Sequence, residues 1–361
     1  MRKEPTRTVC KIGAATTDWS GTVADDQGFP AMGGAAWIRL GNVKRYSVDN
    51  WVIGQVHRIG KTLAVQSLDQ RPHLDCAVIV FQRYMDAGLE DAVTAARNNG
   101  QIIVNDIDDW FWGLHPKNSA HKLTDPKYSP KANIAHYRKI LLASDVIVVS
   151  TPFLAARVIE WGAQRVEIIP NGVDIKIYPQ RRHTDRPPVI GWAGSVASRS
   201  GDLTILRKPF ATLPDTIAFH HTGDDHNAPS FASETGIHPK RVSTLPLLAP
   251  HEYPYGLPFD IGVVPLVDID FNRAKSNIKG LEYAAAGIPF VASPLPEYVW
   301  LAEDHGIGRL AKTSRDWTKQ LAALLDYDTR RAEAARQHEA VKALSARHQA
   351  RAWDSLIWSL L

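Results

Sequence analysis

Between Lys275 and Ser293 the chain reads KSNIKGLEYAAAGIPFVAS, and its polar residues are of the kinds that hold a polyphosphate. A polar loop carrying Lys275, Ser276 and Asn277 runs into a helix that the pattern opens at Ile278, with Lys279 in its first turn and Glu282 one turn in. Ala284 to Ala286 give this helix a small-residue face, Gly287 caps it and Pro289 begins a strand. The first N–H groups of a helix have no partner inside it and carry the positive end of its dipole. A diphosphate therefore sits well there, with two lysines beside it. Glu282, on the same helix, is placed to accept hydrogen bonds from ribose hydroxyls. The plain alternative is a capped helix with solvated lysines, and residue types alone do not separate the two.

A second group of candidates lies in Asn105 to Trp112, NDIDDWFW. A strand begun at Gln101 ends here, and ligands of open α/β sheets gather at the carboxyl ends of strands. Asp106, Asp108 and Asp109 are hard to place in a core. Asp108 and Asp109 are read as catalytic candidates that bind an acceptor or serve as general base, against a metal role or plain surface charge. Trp110, Phe111 and Trp112 beside them offer a stacking wall for a sugar ring. Upstream, Gly33 and Gly34 precede the helix-like AAWIRL, where glycines let backbone approach a phosphate or sugar; an ordinary turn is the alternative. His220, His221 and His226, in HHTGDDH, invite a zinc reading, but the spacing is not that of a known helix-borne site. The segment reads better as a strand end and turn, and no metal is expected. His115 reads as structural.

The elements that must position these residues alternate strand and helix. Short β-branched runs at 77–81, 101–104, 145–150, 165–169, 189–193 and 216–220 read as buried parallel strands, with helix patterns at 86–98, 131–143 and 152–161. The class is α/β. Gln180 to Pro188 (QRRHTDRPP) is composed like a linker, which puts a boundary near residue 185. The expected units are 1–184, 185–335 and a terminal helix, 336–361, that crosses back to the first unit. Its apolar face of Trp353, Leu356, Ile357 and Leu360 needs a partner surface. The basic stretch Arg336, Lys342, Arg347 and Arg351 makes peripheral membrane contact the rival expectation.

Length and composition agree with this. A chain of 361 residues exceeds what one core usually serves, and 44% apolar with 22% charged residues excludes wholesale disorder, collagen and coiled coil. A net charge of +4 falls short of the concentrated charge of a dedicated nucleic-acid binder. Cys10 and Cys76 are too far apart in sequence to signal a disulfide framework or a cysteine zinc site, so a cytoplasmic setting is the default. Neither a signal peptide nor a run near the ~18 apolar residues of a membrane span is found.

The run LEYAAAGIPFVAS resembles the donor-site motif of GT-B glycosyltransferases, in particular the family 4-like group, where a Glu holds the nucleotide ribose. Asp145 to Tyr178, DVIVVSTPFLAARVIEWGAQRVEIIPNGVDIKIY, is similar to the passage that closes the amino-terminal domain of that family. Val189 to Leu206, VIGWAGSVASRSGDLTIL, resembles the first strand, glycine loop and helix of its carboxy-terminal domain. The likeness runs from about residue 140 to 300. It departs from the family at Ala274, where many members carry a second Glu, and at Ser195 and Ser200, where Arg and Lys often meet the diphosphate. Arg199, Lys275 and Lys279 are the nearby basic groups that would take over that charge.

The resemblance implies two doubly wound Rossmann-like domains facing across a cleft, the terminal helix packing back across them. The donor, a UDP- or GDP-sugar, is then expected on Gly33, Gly34, Gly194, Ser195, Arg199, Gly223, Asp224, Lys275, Ser276, Asn277, Ile278, Lys279 and Glu282. Gly223 and Asp224 are where the family contacts the nucleobase, and Asn171, Gly172 and Asp174 fall between the domains. The acceptor enters from the Gly33–Gly34 and Asp108–Asp109 side; a protein, a glycan, a lipid or modified DNA all fit. The implied activity is metal-independent, cofactor-free glycosyl transfer, retaining as the family usually is. The departing phosphate then accepts the acceptor proton; an inverting outcome would use Asp108 or Asp109 as base. A nucleotide-sugar epimerase of the same fold and a non-catalytic sugar- or nucleotide-binding protein are the alternatives.

Overall fold

The apolar runs fold into two separate parallel-dominated sheets, each covered by the helices between its strands. The computed structural model describes residues 10–24, 30–67, 72–73, 76–199, 201–225 and 228–361. Ser200, His226 and residues 25–29 of the Asp18 to Pro30 loop lie outside the described residues.

In chain order the first part of the molecule has β1 (Lys11–Thr16), β2 (Trp19–Ala24), β3 (Pro30–Met32), β4 (Asn50–Ile59), β5 (Thr62–Ser67), β6 (Pro72–His73), β7 (Val78–Gln82), β8 (Ile102–Ile107), β9 (Val146–Val149) and β10 (Val166–Ile168). Eight of them form one sheet in the order β10-β9-β8-β7-β1-β4-β5-β6, and β2 pairs with β3. The second part has β11 (Val189–Ala193), β12 (Ala218–Asp224), β13 (Val242–Pro246), β14 (Ile261–Val264), β15 (Phe290–Ala292) and β16 (Arg309–Leu310), ordered β13-β12-β11-β14-β15-β16 and parallel throughout. The parallel strands β7 and β9 are buried along their whole length, which is why they read as unbroken apolar runs.

The first sheet is not parallel throughout. β4 and β5 form an antiparallel hairpin around Gly60 and Lys61, with Ile59 opposite Thr62, and Gly60 takes the positive φ of +62° that so tight a turn requires. β4 is buried over Trp51 to Gly54 and largely exposed beyond, so it lacks the continuous apolar signature of its neighbours.

The carboxy-terminal helical pattern is also broken rather than continuous from residue 336. A helix Tyr327–Ala340 gives way to a 3₁₀ turn at Val341–Leu344, Ser345 is extended, and a new helix runs Ala346–Leu360. The break is the crossing point: Val173 N–H donates to the Leu344 carbonyl (3.2 Å) and Ala346 N–H to the Val173 carbonyl (2.9 Å). Gly172 sits so close that a Cβ there would lie 2.6 Å from the Ser345 carbonyl oxygen, so no side chain fits. The last helix then lies on the first sheet. Trp353 and Ile357 are fully buried, Leu356 nearly so, and Trp353 meets Trp51 edge-on at 5.4 Å. Burying three such side chains contributes about 1.5–3 kcal/mol each, which explains why the helix docks on the protein itself. Among the described residues no helix is long and apolar enough to cross a membrane.

Candidate functional site

The carboxyl ends of both sheets open onto one cleft of about 230 Å³. Of the residues expected from sequence, Gly34, Asp108, Asp109, Asn171, Arg199, Lys275, Ser276, Ile278, Lys279 and Glu282 form its wall. Gly33, Gly172, Asp174, Gly194, Ser195, Gly223, Asp224 and Asn277 do not line it.

The face contributed by the second sheet is cationic. The helix Ile278–Ala285 has no side-chain cap, because Asn277 turns its amide away to donate to the Glu297 carbonyl (3.4 Å). Lys279, a residue into that helix, donates to the Ala193 carbonyl and lies 5.8 Å from the Trp192 ring. Burial pushes its amine down to about 8, against the pull of Glu282. Lys275 sits 3.9 Å over the Phe271 ring, and burial lowers its amine too, although Asp109 opposes this. Arg199 follows the 3₁₀ turn Val196–Ser198, and its Nη1 is buried without a hydrogen-bond partner among the described residues. Glu282 accepts from the hydroxyls of Tyr178 (3.2 Å) and Tyr253 (3.1 Å), while burial raises its carboxyl.

Behind this face, two glycines let adjacent strand ends close. Gly194 (φ +152°) and Gly223 (φ +105°) adopt left-side backbone, and a Cβ on Gly223 would lie 2.7 Å from the Gly194 carbonyl oxygen. His221 lends Nε2 to that same carbonyl at 2.9 Å, stacks on Trp192 at 5.1 Å and faces Asp224 at 3.5 Å. His220 pairs with Ser243 and Thr222, and burial pushes its imidazole down to about 4. Both histidines are neutral struts of the strand end. No group of three or more His, Cys, Asp or Glu is placed to hold a metal among the described residues.

The face contributed by the first sheet is built on ion pairs. Asp106 is fully buried against Arg39, which also donates to the Ile169 carbonyl (2.6 Å) and Asn171 (2.8 Å); Asn171 in turn donates to Ser276 (2.7 Å), joining the two sheets' elements. Asp108 and Asp109 remain at the surface of the cleft. Arg83 holds Asp108 with two bonds (3.0 and 2.7 Å) and Asp109 with one (2.9 Å). Asp109 also accepts from Lys275 across the cleft at 3.0 Å. Burial raises the Asp108 carboxyl despite Arg83, with Asp109 adding to the rise. Burial alone would raise Asp109 as well, but Lys275 and Arg83 overturn it and hold that carboxyl below the usual range. Two adjacent carboxyls are thus pushed in opposite directions, a pattern that separates acid–base roles.

Arg83 had no sequence signal of its own beyond its place just after β7, the same strand-end position that pointed to Asp108. Its φ of +61° makes it the single non-glycine residue with positive φ among the described residues. That strained geometry aims the guanidinium at both aspartates. Asp18 is the other residue that sequence reasoning missed. Its carboxylate accepts from Ala36 N–H (2.8 Å), and a Cβ on Gly33 would lie 2.2 Å from it. Gly33 is therefore there to admit Asp18, which fills the helix start that was expected to receive a phosphate or sugar.

One other expectation changes. Trp110 and Phe111 are buried, and Trp110 stacks on Trp161 (4.8 Å) while Trp112 stacks on Tyr137 (5.7 Å). They form an aromatic cluster beneath the strand end rather than a wall for a sugar. Ala274, at the position of the missing second Glu, is fully buried, and its carbonyl accepts from Thr151 (3.1 Å).

No protein-family model matches the chain. No curated protein matches it either. Solved structures do. A sucrose-phosphate synthase from Thermosynechococcus elongatus superposes with a TM-score of 0.66 over 97% of this chain and 99% of its own, at 14% identity. Alr3699/HepE of Anabaena, in complex with UDP and glucose, gives 0.64 over 97% and 100%, at 16% identity. The chain has the GT-B fold. A glycosyltransferase from Rickettsia africae agrees, with a TM-score of 0.62 over 97% of this chain and 98% of its own, at 11% identity. The two sheets, the cleft at their carboxyl ends and the final helix returning to the first sheet are the GT-B arrangement.

Proposed function

We propose that the protein transfers a sugar from a UDP-sugar to an acceptor hydroxyl, without a metal and with retention of configuration. The observation that carries this reading is one cleft in which an uncapped helix start with Lys275, Lys279 and Arg199 faces Asp108 and Asp109. Residues 185–335 bring the donor face, residues 1–184 the acceptor face, and 336–361 tie the units together.

The diphosphate lies at the start of the Ile278 helix. Helix dipole, two ammonium groups and a guanidinium offset the charge that develops as the sugar–phosphate bond breaks, which is the work a metal does in other transferases. Arg199 supplies its Nη1, which has no partner among the described residues. Glu282, held by Tyr178 and Tyr253, takes the ribose hydroxyls. Choice of UDP is supported by the Anabaena neighbours, solved with UDP or UDP-glucose, and by an Escherichia coli neighbour bound with UDP-2-fluoro glucose. Asp108 aligns the acceptor hydroxyl. In the free protein Asp109 reaches Lys275, so a diphosphate that takes Lys275 over puts its leaving oxygen beside that hydroxyl, and that oxygen takes the proton as the new glycosidic bond forms.

The test is calorimetry of UDP and a UDP-sugar panel in excess EDTA, followed by NMR of the product anomer. Binding in EDTA and a product of unchanged configuration are expected. Loss of binding in EDTA refutes metal independence, and an inverted product refutes retention. An epimer formed from donor alone would replace transfer by isomerisation, and donor binding with no turnover across acceptors would leave a binding protein.

A further inference from the structure

The charges of the cleft are segregated. On the first-sheet face Asp108 and Asp109 line the cleft with Asp18 and the buried Asp106 behind them, and these four carboxylates answer to two guanidinium groups, Arg39 and Arg83. On the second-sheet face Arg199, Lys275 and Lys279 answer to Glu282 alone among the charged side chains of the wall. The ion pair that bridges the two faces is Lys275 to Asp109.

A donor diphosphate takes the cations of the second face, and Lys275 with them. Asp109 then keeps Arg83 as its one cationic partner among the described residues, and Arg83 is already shared with Asp108 and Asp18. What meets the acceptor is therefore an excess of negative charge, next to a bound diphosphate of the same sign. The helix start at Gly34 is closed to anions, because Asp18 occupies it. Lys117, Lys122, Lys127 and Lys131, in the nearby loop region, do not line the cleft. In a partly desolvated site, like charges of this kind exclude a further anion strongly.

From this, and resting on the donor reading above, we infer that the acceptor is a neutral or amine-bearing sugar or polyol and not a phosphorylated one. Asp108 and Asp109 are suited to accept from hydroxyl or ammonium groups; among the described residues that line the first face no cation is left without a carboxylate to meet a phosphate.

The experiment uses the UDP-saturated full-length protein and two kinds of probe. Inorganic phosphate is titrated first, because it needs no knowledge of the acceptor; no saturable second phosphate site is expected. Matched pairs follow, glucose with glucose 6-phosphate, fructose with fructose 6-phosphate and glucosamine with its 6-phosphate, as ligands and as acceptors of a UDP-sugar. The unphosphorylated member should win by at least ten-fold, and Asp18→Asn, which keeps a capping oxygen at the helix start, should narrow that ratio several-fold. A saturable phosphate site on the UDP-loaded protein, or a sugar phosphate preferred over its parent sugar, overturns the inference while leaving the donor reading intact. Failure of UDP itself to bind sinks the donor reading, and this inference falls with it.

Discussion

The two faces of the cleft are built by different means. Apart from Arg199, the charged groups of the second-sheet face come from one stretch of chain, Lys275 to Glu282, at a helix start and its first turns. The first-sheet face is assembled from distant segments: Asp18, Arg39, Arg83, Asp106, Asp108 and Asp109 come from three strand ends and a helix, and each is held by an ion pair with another. A binding face for a common ligand can be local; a face that must align an acceptor needs several independent elements to fix it. Separating donor binding from transfer is then the way to break this comparison.

Asp108→Asn carries the largest expected effect. Transfer should fall by about 10² to 10⁴, the range of a lost base or aligning carboxylate, with the UDP dissociation constant within about two-fold. Full activity would remove the first face from the mechanism. Glu282→Ala should do the opposite and weaken UDP binding by about 1.5–3 kcal/mol, as for a lost charged hydrogen bond, in a protein that still unfolds cooperatively. Unchanged affinity in a folded variant would remove Glu282 from the ribose.

The pH dependence of donor binding sharpens the same contrast at smaller amplitude. Lys279 titrates near 8 in the free protein, and a diphosphate beside it raises that value further. Its contribution is complete below about 8 and fades as pH rises through the higher, bound-state value, so UDP affinity should decline at alkaline pH by at most about ten-fold per pH unit. Calorimetry from pH 7 to 9.5 should show this decline, and Lys279→Met should flatten it. An equally steep decline in the variant would assign it to another group.

What the sequence made legible follows the same division. Lys275 to Glu282 could be read because helix-start signals and the spacing of one helix are local, and the resemblance covers that stretch. The parallel strands were legible because burial on both faces leaves continuous apolar runs; β4, half exposed, carried no such mark. Arg83 was invisible because its importance lies in a positive φ and in partners 25 and 26 residues away. Asp18 caps a helix start from 18 positions upstream. The aromatics after Asp109 misled because composition shows a ring without showing whether Trp161 and Tyr137 already cover it.

The central claim is that the faces are opposite in charge and that Asp109 holds Lys275 in the place of a donor phosphate. Asp109→Asn tests it most directly. The isosteric amide keeps the shape of the cleft but releases Lys275 to the diphosphate, so UDP should bind several-fold more tightly than to the wild type. Weaker binding of UDP to Asp109→Asn would contradict the account, because it would place Asp109 among the groups that hold the donor.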